Sequence, residues 1–486
     1  MVKDKGFWAA AVLSLAAFCF WAAILSYKFF HFGYYDWDLA YFSQAMWDLA
    51  HGSTHVSLFD CEFFANHANI IACLLVPFYN FFAHPLVLVF LKTASYAGAS
   101  FVLYLLVKEK LGGPAAFLFL WLYLIYPANV FGLTYEFDFE SLSPVFLVLA
   151  YYFYTKERWA GFMICSAVLV LIKENLPLVV LAFSIHGFFT KKDKLRWGLI
   201  PFVFALASFY ILVFVFMPLM AGRPPGSLHP YYIVHDYGAW GGSFQGILLS
   251  ILTHPIKMWQ GLTTPLNLSW LSAIFGPFAY IPYLAPGTLF LISPIILQHL
   301  LSAAPQEHYI KFAYVMPIAP FIFLAAAQVL GYFGNKTARL ILLCLIMVLN
   351  LITFNIAAVH LKVRYMDRYM LQESSIMTRH RQELVDMIPK NAAVVATTVF
   401  LAPLSQRREL YAFFKIFERS YQTKAWSFQL PQSVQYALID FHDPLLLYNL
   451  TYHHDFTMEH LKSFFRSAHW VVLRKYGHVV LYKRKG

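Results

Sequence analysis

The stretch Tyr34-Tyr-Asp-Trp-Asp-Leu-Ala-Tyr-Phe-Ser-Gln-Ala-Met-Trp47 sets two carboxylates, Asp36 and Asp38, among aromatic and apolar neighbours. After Asp38 the spacing becomes helical: Phe42, Ala45, Met46 and Leu49 stand at i, i+3, i+4 and i+7. The pattern predicts a short amphipathic helix lying on a membrane surface, with Asp38 at its N-terminus. An Asp there can cap the helix, or it can do chemistry, or both. The rest of the chain bears on which.

Of 486 residues, 60% are hydrophobic and only 13% are charged. Soluble domains carry about a quarter charged residues, so this composition describes a polytopic membrane protein. The aromatic share of 19%, with 49 Phe and 31 Tyr, suits membrane interfaces and sites that pack lipid chains. The net charge of +11 is uneven: residues 361–486 hold 18 Lys and Arg against 10 Asp and Glu. Attraction to membrane lipid headgroups explains this better than nucleic acid, for which the membrane region leaves no room. The five cysteines are scattered without a CxxC, which argues against a disulfide framework or a zinc site. The N-terminal apolar run to about residue 25 is too long for a cleaved leader and lacks a small-residue cleavage site, so it reads as a retained anchor.

Eleven apolar segments qualify as candidate spans: 7–29, 86–107, 115–131, 141–155, 159–172, 176–190, 197–218, 266–281, 284–303, 311–333 and 338–359. Segment 68–82 is shorter and reads as a second interfacial helix. Residues 29–91 and 127–140 contain no Lys or Arg, whereas the alternate loops collect them. The positive-inside rule then puts the N-terminus in the cytoplasm and residues 30–85, 127–140, 219–265, 304–310 and the C-terminal region outside. From about residue 361 the composition becomes soluble. A helix near 374–388, strands at 392–397 and 435–440, and a hairpin over 469–482 turning at Gly477 predict a small α/β domain. The domain division expected is thus 1–360 and 361–486.

The loops assigned to the outer side hold Asp36, Asp38, Gln44, Asp60, Glu62 and His67, then Glu136, Asp138 and Glu140, then Lys173-Glu174-Asn175, then Glu307, His308 and Tyr309. Ionisable groups at membrane depth usually line a polar cavity. Each also has a plainer reading. Acidic loop residues can simply be solvated, Lys173 and Glu174 can be a structural ion pair, and a lone His is usually structural.

These pieces together resemble the GT-C superfamily of integral-membrane glycosyltransferases, and more closely a domain-of-unknown-function family of predicted prokaryotic membrane proteins assigned to it. The family pattern Asp-Leu-Gly-x-Phe-x-Gln-x-x-Trp is matched by Asp38 to Trp47, with Ala40 in place of Gly. Asn66-His67, Asp138-Phe-Glu140, Lys173-Glu174, Ser293-Pro294, His308-Tyr309, Ile388-Pro389 and Leu404-Ser-Gln-Arg407 match in order. Glu140 stands where the pattern leads one to expect His.

The resemblance implies an α-helical, GT-C-like polytopic membrane protein of the prokaryotic plasma membrane, with a small α/β extracytoplasmic domain. It implies transfer of a sugar from a polyprenyl-phosphate donor to an acceptor. Asp38 is then the general base, with Asp36 its rival. Gln44, Trp47, His67, Glu136, Asp138, Glu140, Lys173, Glu174, His308 and Tyr309 are the candidate substrate and phosphate contacts. An acceptor hydroxyl needs a carboxylate to take its proton, and the departing phosphate needs cationic or hydrogen-bonding partners. The acidic loops also allow a divalent cation, Mg or Mn. Two other classes fit the charges: a transporter or flippase, and a non-catalytic envelope assembly protein.

Overall fold

The structure, a computed structural model, describes residues 5–227, 236–241, 244–360, 375–416, 430–467 and 469–485. The chain divides into two compact units. The first comprises residues 1–22, 64–71 and 90–362, and the second 23–63, 72–89 and 363–486. The sequence suggests a boundary near residue 360; compactness instead groups the 34–63 region with the C-terminal segment.

The first unit is helical. By length and composition, four helices among the described residues can cross a membrane: Lys5–Phe30, Leu86–Leu111, Leu195–Met220 and Lys336–Ile356. Gly113–Ile125 and Pro127–Thr134 make a fifth if the pair, bent by 43°, is one span. Other expected spans are shorter or interrupted. Ser143–Thr155, Trp159–Ile172, Leu176–Thr190 and Ala319–Tyr332 hold 13 to 15 residues. At 1.5 Å per residue these run about 20 Å, against about 30 Å of hydrocarbon. Proline is the local reason: Pro144, Pro177 and Pro320 stand in the first turns of three of these helices, where a missing N–H costs nothing. Pro277, Pro282, Pro286 and Pro294 divide residues 265–301 into short turns. Close packing is also visible. A Cβ on Gly187 would lie 2.2 Å from the Trp197 carbonyl oxygen, so only glycine lets Leu176–Thr190 approach Leu195–Leu199.

The second unit carries a short ribbon, β1 (His55–Val56) with β2 (Cys61–Glu62), and a five-stranded mixed sheet. In the sheet, β3 (Ala393–Ala396) lies parallel to both β4 (Leu410–Ala412) and β5 (Val434–Asp440). The hairpin β6 (Trp470–Tyr476) and β7 (Val479–Arg484) adds antiparallel beside β5, giving the order β4-β3-β5-β7-β6. β3 is buried throughout, which is why it reads as an unbroken apolar run. Gly477 at φ +58° makes the hairpin turn.

The helix predicted after Asp38 forms over Asp38–Ala50. It is covered by protein well beyond one apolar face: Leu39 through Met46 and Asp48 are all buried. The segment Thr398–Leu404 packs on it. The predicted second short helix is Ile71–Phe81, and the predicted 374–388 helix is Ser375–Asp386.

Candidate functional site

The polar residues fall into two groups, one in each unit. In the first unit, Asp138 has extended backbone angles and caps the turn Phe139–Leu142, accepting from the Glu140 N–H at 2.6 Å. The turn aims Glu140 inward. Lys173 leaves the helix Trp159–Ile172 in an extended conformation (φ −159°, ψ 149°), which swings its side chain off the helix axis. The Lys173 ammonium then meets Glu140 Oε2 at 2.6 Å and Asp138 Oδ2 at 3.5 Å. Asn175 Nδ2 donates to the other Glu140 oxygen at 2.9 Å and to Gln298 Oε1 at 2.9 Å. Glu174 accepts from His67 Nδ1 at 2.7 Å and from the Ala68 N–H at 3.0 Å. Asn69 donates to the Ile172 carbonyl, holding the His67 segment against the end of the same helix.

Burial alone would lower Lys173, but Asp138, Glu140 and Glu174 outweigh it and hold its ammonium well above the ordinary lysine value. Burial alone would raise Glu174. The His67 imidazole and then Lys173 overrule it and hold the carboxyl down at about 2. Lys173 and Glu174 are therefore held in their charged forms. Of the two carboxylates facing Lys173, Asp138 is the accessible one: its side chain is 22% exposed, against 5% for Glu140.

Lys92 sits behind this cluster, 1% exposed. It donates to the carbonyls of Tyr135 and Glu136 at 2.9 and 2.8 Å, and to Gly132 at 3.3 Å. These carbonyls end the helix Pro127–Thr134, where the backbone lacks internal donors and the dipole is negative. A buried lysine is thus neutralised by a helix terminus, and it fixes the backbone leading to Asp138. Lys92 was not among the residues the loops suggested. The signal was an ionisable residue inside an apolar run, which deserves the same suspicion as one in a loop. Gln298 and His299 were missed too; His299 is buried and pairs with Glu307 at 2.8 Å.

Asp138, Glu140, Lys173, Glu174 and His67 thus come together in one charged row. Glu136 is buried beside it and shares its carbonyl with Lys92. His308 makes other contacts: its Nδ1 lies 3.2 Å from the Ala304 carbonyl, and its ring meets Trp270 edge-on. Tyr309 is exposed, with the Lys311 ammonium 5.5 Å from its ring centre. Glu140, the departure from the family pattern, is the tightest partner of Lys173.

In the second unit Trp37 occupies the cap position of the helix Asp38–Ala50, without a side-chain cap bond; Asp38 opens the first turn. Asp36 accepts from the Trp37 N–H at 3.0 Å. Gln44 is fully buried. Its amide donates to Ser57 Oγ at 2.8 Å and to the Arg407 carbonyl at 3.0 Å, and its Oε1 accepts from the Leu58 N–H at 3.1 Å. Ser57 in turn exchanges bonds with the Leu410 backbone. Ser43, Tyr79, Ser405 and Gln406 form a second neutral chain alongside, at 2.9 to 3.2 Å. Arg407 donates to the carbonyls of Leu404 and Ala392. Trp47 stacks on His51 at 3.9 Å. The Asp38–Trp47, Ile388-Pro389 and Leu404–Arg407 motifs therefore meet in one seam, and Gln44 is its clamp.

Among the described residues no three His, Cys, Asp or Glu side chains converge on a point that could hold a metal ion. Asp138 and Glu140 already face an ammonium, and Glu174 faces an imidazole, so this row does not fit a divalent cation.

A family model described as "Predicted membrane protein (DUF2079)" matches residues 28–475. No curated protein sequence matches the chain. Among solved structures, ArnT from Cupriavidus metallidurans, determined bound to undecaprenyl phosphate, superposes with a TM-score of 0.50 at 11% identity, covering 99% of this chain and 98% of that one. At that identity the likeness establishes architecture: a GT-C-like helical fold with a small C-terminal sheet domain.

Proposed function

We propose that this chain, which belongs to the DUF2079 family of predicted membrane proteins, is a glycosyltransferase that moves a sugar from a polyprenyl-phosphate donor to an acceptor hydroxyl on the outer side of a prokaryotic plasma membrane. The acceptor oxygen forms a bond to the anomeric carbon as the bond from that carbon to the phosphate oxygen breaks. The acceptor proton goes to Asp38, and polyprenyl phosphate leaves with the bonding electrons. The family resemblance points to Asp38 for that step. Its position supports the choice, because Trp37 and not Asp38 holds the cap position.

The observation that carries the reading is the row of polar side chains that meets Lys173 in a GT-C-like fold. Fold alone does not give activity; a lysine kept charged in apolar surroundings gives a reason to expect an anion. Lys173 has one tight partner, Glu140, and one loose one, Asp138 at 3.5 Å. A phosphate oxygen of the donor would take the place of Asp138, while Glu140 and Asn175 keep the lysine oriented. Lys92 holds the loop that presents Asp138.

The test is transfer from a radiolabelled polyprenyl-phosphate sugar by purified protein, with Asp38→Asn and Asp138→Asn variants that insert and melt like the wild type. Loss of transfer in Asp38→Asn with donor binding retained supports the assigned base. Wild-type rates in that variant would sink it. An absence of transfer to any acceptor, together with carriage of the intact donor across vesicles, would replace the whole reading with transport.

A further inference from the structure

At the other end of the helices Ser143–Thr155 and Leu176–Thr190 from the Lys173 row lies a cavity of about 330 Å³. Its wall includes Lys110, Tyr154, His186, Lys191, Thr288 and Gln328. We infer that this cavity is a second anion site, built to take the phosphate of a phosphoester at the level where the apolar helices end. The inference is independent of the transferase reading.

The placement of His186 carries the argument. Thr190 Oγ1 donates to the His186 carbonyl at 2.7 Å, so that hydroxyl has no proton left for its other neighbours. Tyr154 Oη lies 2.7 Å from His186 Nδ1 and 3.3 Å from Thr190 Oγ1, so both hydroxyls occupy the Nδ1 edge of the imidazole. The Nε2 edge is left to the cavity, where it can donate to an anion when Nδ1 accepts from Tyr154 or when the ring is protonated. A Cβ on Gly287 would stand 3.6 Å from that Nε2. The glycine leaves the space in front of this donor open.

Two cations reinforce it. The Lys191 ammonium is held 4.7 Å above the Tyr154 ring and 5.4 Å from the Trp197 ring, with its side chain only 13% exposed. Its carboxylate partner, Glu157 at 3.2 Å, is 67% exposed and correspondingly screened. Lys110 feels the Glu109 carboxylate, which is itself bound to Lys156 at 2.7 Å. The wall thus presents donors and positive charge with one solvated carboxylate, which selects anions.

The surroundings favour a lipid as the carrier of that phosphate. Gln328 donates to Tyr332 Oη at 2.7 Å; Tyr332 is 70% exposed, and Phe189, next to Thr190, is 77% exposed. An acyl or prenyl chain can lie along these rings while the phosphate sits on Lys191 and His186.

The full chain in nanodiscs of phosphatidylcholine, with and without phosphatidic acid, provides the test by native mass spectrometry of retained lipid. Wild type should retain phosphatidic acid over phosphatidylcholine. Lys110→Gln and Lys191→Gln should each lower that retention about fivefold, and together more. If Lys191→Gln melts early, the exposed Lys110→Gln and a Gly287→Val variant, which fills the space before Nε2, carry the test instead. Millimolar inorganic phosphate separates the sources: displacement assigns the site to a soluble phosphoester, and persistence to a lipid. Unchanged retention in a double lysine variant with the wild-type melting temperature overturns the proposal.

Discussion

Two buried carboxylates, one in each unit, have opposite fates. Burial pushes both upward. Glu174 meets the His67 imidazole and Lys173 and ends at about 2, while Asp48 meets only the weaker pull of Arg408 and ends at about 7. Asp48 Oδ2 has no hydrogen-bond partner. The same contrast runs through their neighbourhoods. The first unit compensates charge with charge, through Lys173, Glu140, Asp138 and His67. Around the Asp38–Ala50 helix the second unit joins its segments with neutral groups, Gln44, Ser57, Ser43 and Tyr79, and leaves Asp48 nearly alone, while its buried ion pair, Arg381 with Asp440 at 2.6 Å, stands apart from that seam. Neutral networks specify a packing; a compensated row of ions in apolar surroundings keeps charge available for a ligand.

The sharpest way to break the comparison is to unbalance the charged row. Lys173→Ala leaves Glu140 buried without its cation and should cost about 3–5 kcal/mol, read as a lower melting temperature in detergent. Lys173→Met with Glu140→Leu should recover most of that loss, because removing both ions removes the desolvation penalty as well. A double variant as unstable as the single one would show that the row is not a coupled pair.

Gln44→Ala comes next. It deletes bonds to Ser57, Arg407 and Leu58 and should cost about 1–3 kcal/mol. If the seam is purely structural, donor affinity measured on the surviving folded fraction stays at the wild-type value.

The two acids then predict opposite pH slopes. Asp48 titrates near 7 when folded and 3.8 when unfolded, so the folded state holds its proton longer and stability falls as pH rises from 3.8 to about 7. Asp48→Asn should flatten that slope and raise the melting temperature above pH 7. Glu174 is depressed instead, so its contribution is full above 4.5 and disappears as pH falls toward about 2. Thermal melts of wild type, Asp48→Asn and Glu174→Gln across pH 3 to 8 separate the two.

Asp138→Asn should have the smallest effect on stability, under about 1 kcal/mol, because its contact with Lys173 is long and partly solvated. Donor affinity at or above the wild-type value in this otherwise stable variant, as displacement of Asp138 by the phosphate requires, would sharpen the distinction between the two regions.

Much of the fold was legible in local pattern. The helix after Asp38, the strands near 393 and 434, and the hairpin at Gly477 all follow from periodicity and turn chemistry. Periodicity along thirteen residues could not reveal that Gln44 bonds the carbonyl of Arg407, 363 positions away. A buried polar residue looks the same in sequence as a solvated one. The hydropathy of 141–190 was equally plain, but prolines and short runs left helices of 13 to 15 residues there. In the candidate site, Lys173, Glu174, Asp138 and Glu140 stood out because charge in apolar sequence is rare. Which carboxylate takes the lysine depends on the turn at Phe139, and that is a matter of backbone angles. Lys92 was overlooked for a related reason: its partners are carbonyls, which carry no residue-type signal.

The seam at Gln44 also sets a timetable. The segment 38–58 emerges from the ribosome some 350 residues before the carbonyls and hydroxyls of 405–410 that complete its bonding. Throughout synthesis of the intervening helices, that early segment must wait with its buried-to-be amide and hydroxyls facing water or lipid headgroups. A chain cut short before residue 404 would display them permanently, offering a cell's quality-control proteases a mark of incompleteness.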